Sequence, residues 1–231
     1  MLYFSHIIKA LKWSIPVATA YIPLGFALGV FMVSSGIDWY WAPLTALFIF
    51  AGSIEFLIVS FIESGQSFVA IASTTLIINF RHIFYGLSFP LDRMTSWVQR
   101  TYGIFALTDE TYSILSANQQ TPLNGLEISL LQIISHGWWV GACFCGALFA
   151  TALPPEVTGF EFALTAMFIA LAMDTIRHMK EGILLLYALV SSVIGVLMET
   201  FVLNGSFLAT GLLCYVVLIS KDYRTKSMEV A

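Results

Sequence analysis

Seven apolar stretches, roughly 13–35, 42–62, 66–91, 126–153, 160–176, 182–203 and 205–219, alternate with polar joints along the chain. A helix needs about 20 apolar residues to cross a bilayer, and most of these runs approach or exceed that length. None alternates with period two, and a backbone in hydrocarbon must satisfy its own hydrogen bonds, so the runs predict helices. The expected fold is all-α, a polytopic transmembrane bundle forming a single membrane domain over 1–231. One long polar connection, 92–125, joins approximate halves 1–91 and 126–219.

The halves resemble each other. "LTALFI" at Leu44–Ile49 returns as "LTAMFI" at Leu164–Ile169, and the midpoints of runs one to three and four to six are each about 115 residues apart. Arg-His followed by three residues and Gly occurs at Arg81–Gly86 and at Arg177–Gly182, out of register with the first match. Two units of three spans stand upside down relative to each other, so we expect two inverted three-helix repeats plus a C-terminal helix, a transporter architecture. The charges complicate this. Lys9 and Lys12 near one end and Lys221, Arg224 and Lys226 near the other all favour the cytoplasm, whereas seven full crossings separate the termini. Either one run, best the polar-interrupted 66–91, does not cross fully, or the charge rule fails at one end.

Composition supports the membrane reading. Hydrophobic residues make up 58% of the chain and charged ones 10%, too apolar for an aqueous surface, so the lipid bilayer is the expected surroundings. A net charge of −4 gives no footprint for nucleic acid. Cys143, Cys145 and Cys214 lie in apolar runs without metal spacing, which argues against a disulfide frame or a zinc site. Lys9 and Lys12 ahead of "WSIPVATA" imitate a signal peptide, but the apolar run continues past Ala18–Ala20, so a retained first span is expected.

Against that background, polar residues inside apolar runs are the candidates for function, because an ionised group at mid-span costs about 2.5 to 3.5 kcal/mol. Glu55 lies near the middle of its run with Gly52 one turn earlier, and serves either a solute path or a neutral interhelical bond. Thr75, Asn79, His82 and Gly86 share one helix face while Arg81 projects elsewhere. The alternatives are a cavity-lining broken helix, or backbone capping with Arg81 paired to an acid such as Glu55 or Asp174. Ser129, Gln132, His136, Trp139 and Cys143 form another stripe, in which His136 is either a proton carrier or an interhelical bond. Asp174 stands three and four residues before Arg177 and His178, the spacing of a local ion pair.

In "IPLGFALG", Pro23 with Gly25 and Gly29 predicts either an unwound helix with exposed backbone groups or close helix packing. Thr108 before Asp109 and Glu110 is a helix-start signature. No zinc, nucleophile-elbow or phosphate-loop motif occurs, so neither an enzyme nor a cofactor or metal site is expected.

Taken in order, "IPLGFALG", "FAGSIEF", "NFRHIFYG", "FALTDETY" and "FEFALTAMFIAL" resemble the AzlC family, the large subunits of branched-chain amino acid exporters. The resemblance covers essentially the whole chain. It implies export of valine, leucine and isoleucine across the bacterial inner membrane by a two-component secondary transporter with a small AzlD-like membrane subunit. The family pattern marks Pro23, Gly25, Gly29, Gly52, Ser53, Glu55, Asn79, Arg81, His82, Asp109 and Glu110. Many members carry an amide where this chain has Glu55 and Asp where it has Glu161, so an ionisable role for Glu55 is not implied for the family. The rival readings are a channel-like or scaffolding subunit without transport of its own and, further off, an intramembrane hydrolase.

Overall fold

The structure is a computed structural model and describes residues 2–117, 123–154, 182–202 and 207–230, with the single positions 159, 162, 165, 166, 169 and 173. It is helical throughout, with no strand among the described residues. The run 160–176 and the segment Arg177–Glu181, which carry the second copies of the repeat motifs and Asp174, lie largely outside them.

Helix α1 spans Leu2–Ser34 and continues through Pro16 and Pro23. Of the two alternatives at Pro23, the unwound helix is therefore not the one the structure takes. Each proline removes only one backbone donor, and the turns on either side, braced by a neighbouring helix, carry the rod across the gap. Gly36, at φ +81°, closes the helix in a conformation open to glycine, with its own amide and that of Ile37 bonding back to Val33 and Met32.

The breaks occur elsewhere. Run 42–62 is two helices, α2 (Trp41–Phe48) and α3 (Gly52–Glu63), and run 66–91 is α4 (Phe68–Ile78) and α5 (Arg81–Ser88). The 92–125 connection also holds two helices, α6 (Trp97–Phe105) and α7 (Asp109–Ala117). Capping boxes open two of the later helices: Ser96 with Gln99 starts α6, and Asn124 with Glu127 starts α8 (Gly125–Thr151). Helices α9 (Gly182–Phe201) and α10 (Phe207–Val230) complete the described chain. Three stretches are long and apolar enough to span a membrane as single helices, Phe4–Ser34, Gly125–Thr151 and Gly182–Phe201, and the α4–α5 pair qualifies as a broken span.

By contacts the chain forms two compact units, one of residues 1–66 and 78–167, the other of 67–77 and 168–231. In the first, α1 and α8 make the most extensive helix contact. Small residues permit it. A Cβ on Gly29 would strike the Cys143 carbonyl, one on Gly146 the Phe26 carbonyl, and one on Gly25 would stand 2.9 Å from the Ala142 Cβ. Gly25 and Gly29 thus face α8 and serve packing. Helices α2, α3, α6 and α7 pack on this central pair. In the second unit α9 packs against α10, where Gly195 lets the Phe207 carbonyl approach. Large apolar side chains such as Leu186, Val193 and Leu213 stand exposed on it, as a lipid-facing surface requires.

Candidate functional site at the helix breaks

Two of the interruptions fall in the first unit beside the middles of its long helices. Tyr21 lies near the centre of the Phe4–Ser34 span, and His136 and Trp139 near the centre of Gly125–Thr151. The break between α2 and α3 is made by Phe50, whose φ of +49° is left-handed, and by Ala51, which precedes the first turn of α3. Such a conformation in a residue other than glycine costs on the order of 1–3 kcal/mol and needs its surroundings to hold it. The Phe50 ring supplies the hold. It stacks on His136 at 4.2 Å and meets Tyr21 edge-on at 6.1 Å.

Glu55 sits in the first turn of α3, where the partial positive charge of the helix end favours an anion. Its side chain is fully buried. The Trp139 indole donates to Oε2 at 2.9 Å, while Oε1 has no hydrogen-bond partner among the described residues. Gly52 makes room for that indole, since a Cβ there would stand 3.0 Å from Trp139 Cη2. Ser53, also in this first turn, is buried. With the Trp139 indole on one oxygen, the Ala51 backbone and Thr45 hydroxyl close by, and the other oxygen unpaired, the carboxyl offers a position for a proton or a cationic group.

His136 bridges two more elements. A carbonyl only accepts, so Nε2 carries the proton and donates to Ala46 O on α2 at 3.1 Å. Nδ1 then accepts from the Tyr102 hydroxyl on α6 at 3.0 Å. The neutral ring satisfies both neighbours, which is the interhelical-bond alternative. One turn earlier Gln132 donates to Gly103 O at 2.9 Å.

Helices α6 and α7 of the polar connection therefore pack against the middles of α1 and α8. Most polar groups of "LTDETY" point at protein partners, with Asp109 Oδ1 the exception. Thr108 caps α7 through its contact with the Thr111 amide, and its hydroxyl lies 2.7 Å from Tyr21 Oη. Tyr21 Oη is also 2.9 Å from Glu110 Oε2. Next to Glu110, Asp109 Oδ2 accepts from Arg81 Nη2 at 2.7 Å. Arg81 does pair with an acid, but the partner is Asp109, not Glu55. His82 Nδ1 lies 3.2 Å from the Asn79 carbonyl, a contact local to the α4–α5 break, and the space around Gly86 is open.

Glu55, Trp139, Tyr21, Glu110, Asp109 and Arg81 thus form one run of neighbours, the Trp139 and Tyr21 rings meeting at 5.3 Å. Gly25 and Gly29 lie outside this run, in the α1–α8 packing, and Pro23 is exposed on α1. Asp174 lies outside the described residues. Sequence reasoning missed Tyr21 and Phe50, since aromatic residues in apolar runs carry no signal of their own, and Tyr102, one of several aromatics in the polar connection. Tyr21 is the exception in hindsight: a phenol needs a partner when buried at mid-span.

A family profile described as AzlC protein matches residues 16–153, a stretch holding every side chain in that run. The chain belongs to the AzlC family. Among relatives, the "Branched-chain amino acid transport protein AzlC" of Bacillus subtilis (strain 168) is 30% identical over 176 residues, 75% of this chain and 68% of that protein. An "Uncharacterized membrane protein" of Helicobacter pylori (strain ATCC 700392 / 26695) is 30% identical over 181 residues, 74% of this chain and 78% of its own. The "Inner membrane protein YgaZ" of Escherichia coli (strain K12) is 27% identical over 199 residues, 80% of this chain and 79% of its own. No solved structure matches. With its apolar helices, this member of the AzlC family is a membrane protein.

Proposed function

We propose that the chain is the large subunit of a two-component secondary exporter, moving valine, leucine and isoleucine out across the bacterial inner membrane with a small AzlD-like membrane subunit. It is a transporter and not an enzyme. The observation that carries this reading is the gathering of Glu55, Glu110, Asp109 and Arg81 at helix breaks beside the centres of α1 and α8. Irregular backbone and ionisable side chains at that depth are tolerated where they line a solute path or are sealed in protein. Family membership and the name of the Bacillus subtilis relative supply the substrate class.

In this reading the half-helix ends and the charged run hold the backbone groups of the substrate, apolar side chains accept its branch, and Glu55 tunes local charge or carries a proton. The test is efflux from cells loaded with valine or leucine. Cells expressing the chain with its small subunit are expected to lose the amino acid faster than cells lacking the chain, and equal rates refute the assignment.

One observation favours a scaffolding role instead: Gly25, Gly29 and Gly146 serve packing alone, as does the His136 bridge. A scaffold predicts that efflux survives when the small subunit is present without this chain.

A further inference from the structure

Resting on the exporter reading, we propose that Arg81 and Asp109 receive the zwitterionic head of the amino acid, its carboxylate on the guanidinium and its ammonium on the free Asp109 oxygen.

The pair is half used. Guanidinium and carboxylate are matched forks that pair best through two parallel bonds. Here one contact is made, Nη2 to Oδ2 at 2.7 Å. Arg81 Nε and Asp109 Oδ1 are both buried and have no hydrogen-bond partner among the described residues. One idle donor and one idle acceptor, each on a charged group, complement an amino-acid head, which carries one anion and one cation on a single carbon. A lone carboxylate or a lone amine satisfies only half of this.

Placement adds to the argument. Arg81 opens α5 and Asp109 opens α7. A helix N-terminus disfavours a cation and favours an anion, so Arg81 stands where a second anion is welcome. Asp109 lies at an end that already suits it. The side chains keep 37% and 22% exposure through their other atoms, while Nε and Oδ1 are covered, so the head group reaches them only as the side chains over them shift.

Tyr85 stands beside both charges with its hydroxyl in hydrogen-bonding reach of the Asp109 carboxylate, so a bound ammonium would share that carboxylate with the phenol. It stacks on Tyr112 at 4.4 Å, and His82 meets its edge at 5.6 Å. Tyr85 and Tyr112 pack in turn against the buried cluster of Phe89, Leu107 and Leu131. An aromatic shelf leading into an apolar cluster beside a zwitterion receptor suits a branched aliphatic side chain.

The experiment follows ligand-induced thermal stabilisation of the purified complex with leucine, 4-methyl-2-oxopentanoate, which lacks the ammonium, and isopentylamine, which lacks the carboxylate. Leucine is expected to stabilise the wild type at concentrations about tenfold or more below either analogue. The double variant Arg81→Gln with Asp109→Asn removes both charges together and leaves no orphan. It is expected to lose leucine stabilisation while eluting as a folded complex. If the double variant does not fold, Arg81→Lys decides: it keeps the charge opposite Asp109 but has no Nε fork, so leucine is expected to weaken while isopentylamine does not.

A folded double variant with the wild-type leucine response overturns the proposal, as does Arg81→Lys with leucine unweakened or a wild type that answers all three compounds alike. A wild type that neither binds nor transports any branched-chain amino acid strikes the exporter reading itself. That failure is distinct from leucine binding that ignores this pair.

Discussion

At the scale of single residues, Glu55 shows how a charge is kept inside an apolar bundle. Its Oε2 depends on one donor, the Trp139 indole. Trp139→Phe keeps the ring between Gly52 and Tyr21 but removes the N–H, leaving a buried acceptor without its partner. The expected loss is about 1–3 kcal/mol of stability, read as a lower melting temperature, with a smaller loss when Glu55→Gln is also present. Equal losses in both backgrounds would show that the indole acts through packing alone. Glu55→Gln by itself tests the proton role: the pH dependence of leucine efflux is expected to flatten while efflux at its optimum persists, and an unaltered profile removes that role without touching transport. Glu55 was legible in the sequence because a carboxylate in a long apolar run stands out by its cost. Its bond to Trp139 was not, since the stripe at Ser129, Gln132, His136, Trp139 and Cys143 says which face looks inward but not what it meets.

At the scale of elements, the packing of α1 on α8 depends on three glycines whose backbones touch the opposing helix. Gly29→Leu places a side chain against the Cys143 carbonyl and the Ala147 amide, neither of which can swing away. We expect destabilisation of at least about 1–3 kcal/mol, measured as loss of folded complex on gel filtration of detergent extracts, whereas Gly137→Leu, where nothing lies within 4 Å, is expected to be tolerated. The glycine pair was visible in "IPLGFALG", and the structure decides between the two roles it allowed. The break at Phe50 was not visible. "LFIFAGSIEF" has no proline and one glycine, and its left-handed residue is a phenylalanine held by stacking on His136, a contact far away in sequence. The interruption between Asn79 and Arg81 was legible from polar residues crowded in an apolar run, and the start of α7 from Thr108. The polarity of 92–125 marks the connection but does not say what its polar residues meet: Thr108, Glu110 and Asp109 have Tyr21 and Arg81 as partners.

At the scale of the whole molecule, the first unit holds the charged run, both helix breaks beside the long-helix centres, and the aromatic shelf. The second presents mostly exposed apolar side chains on its described helices. On the proposed function the first unit would handle substrate while the second faces lipid, and the small subunit is expected to co-purify with the chain from membranes. The central claim is that the costly polar side chains at the helix breaks handle a solute during its passage. Counterflow tests it most directly: proteoliposomes holding the complex and loaded with unlabelled leucine should transiently accumulate external radiolabelled leucine, and the Arg81→Gln, Asp109→Asn complex should not. Accumulation no greater than in protein-free liposomes, or equal accumulation by the wild type and the folded double variant, would contradict the account.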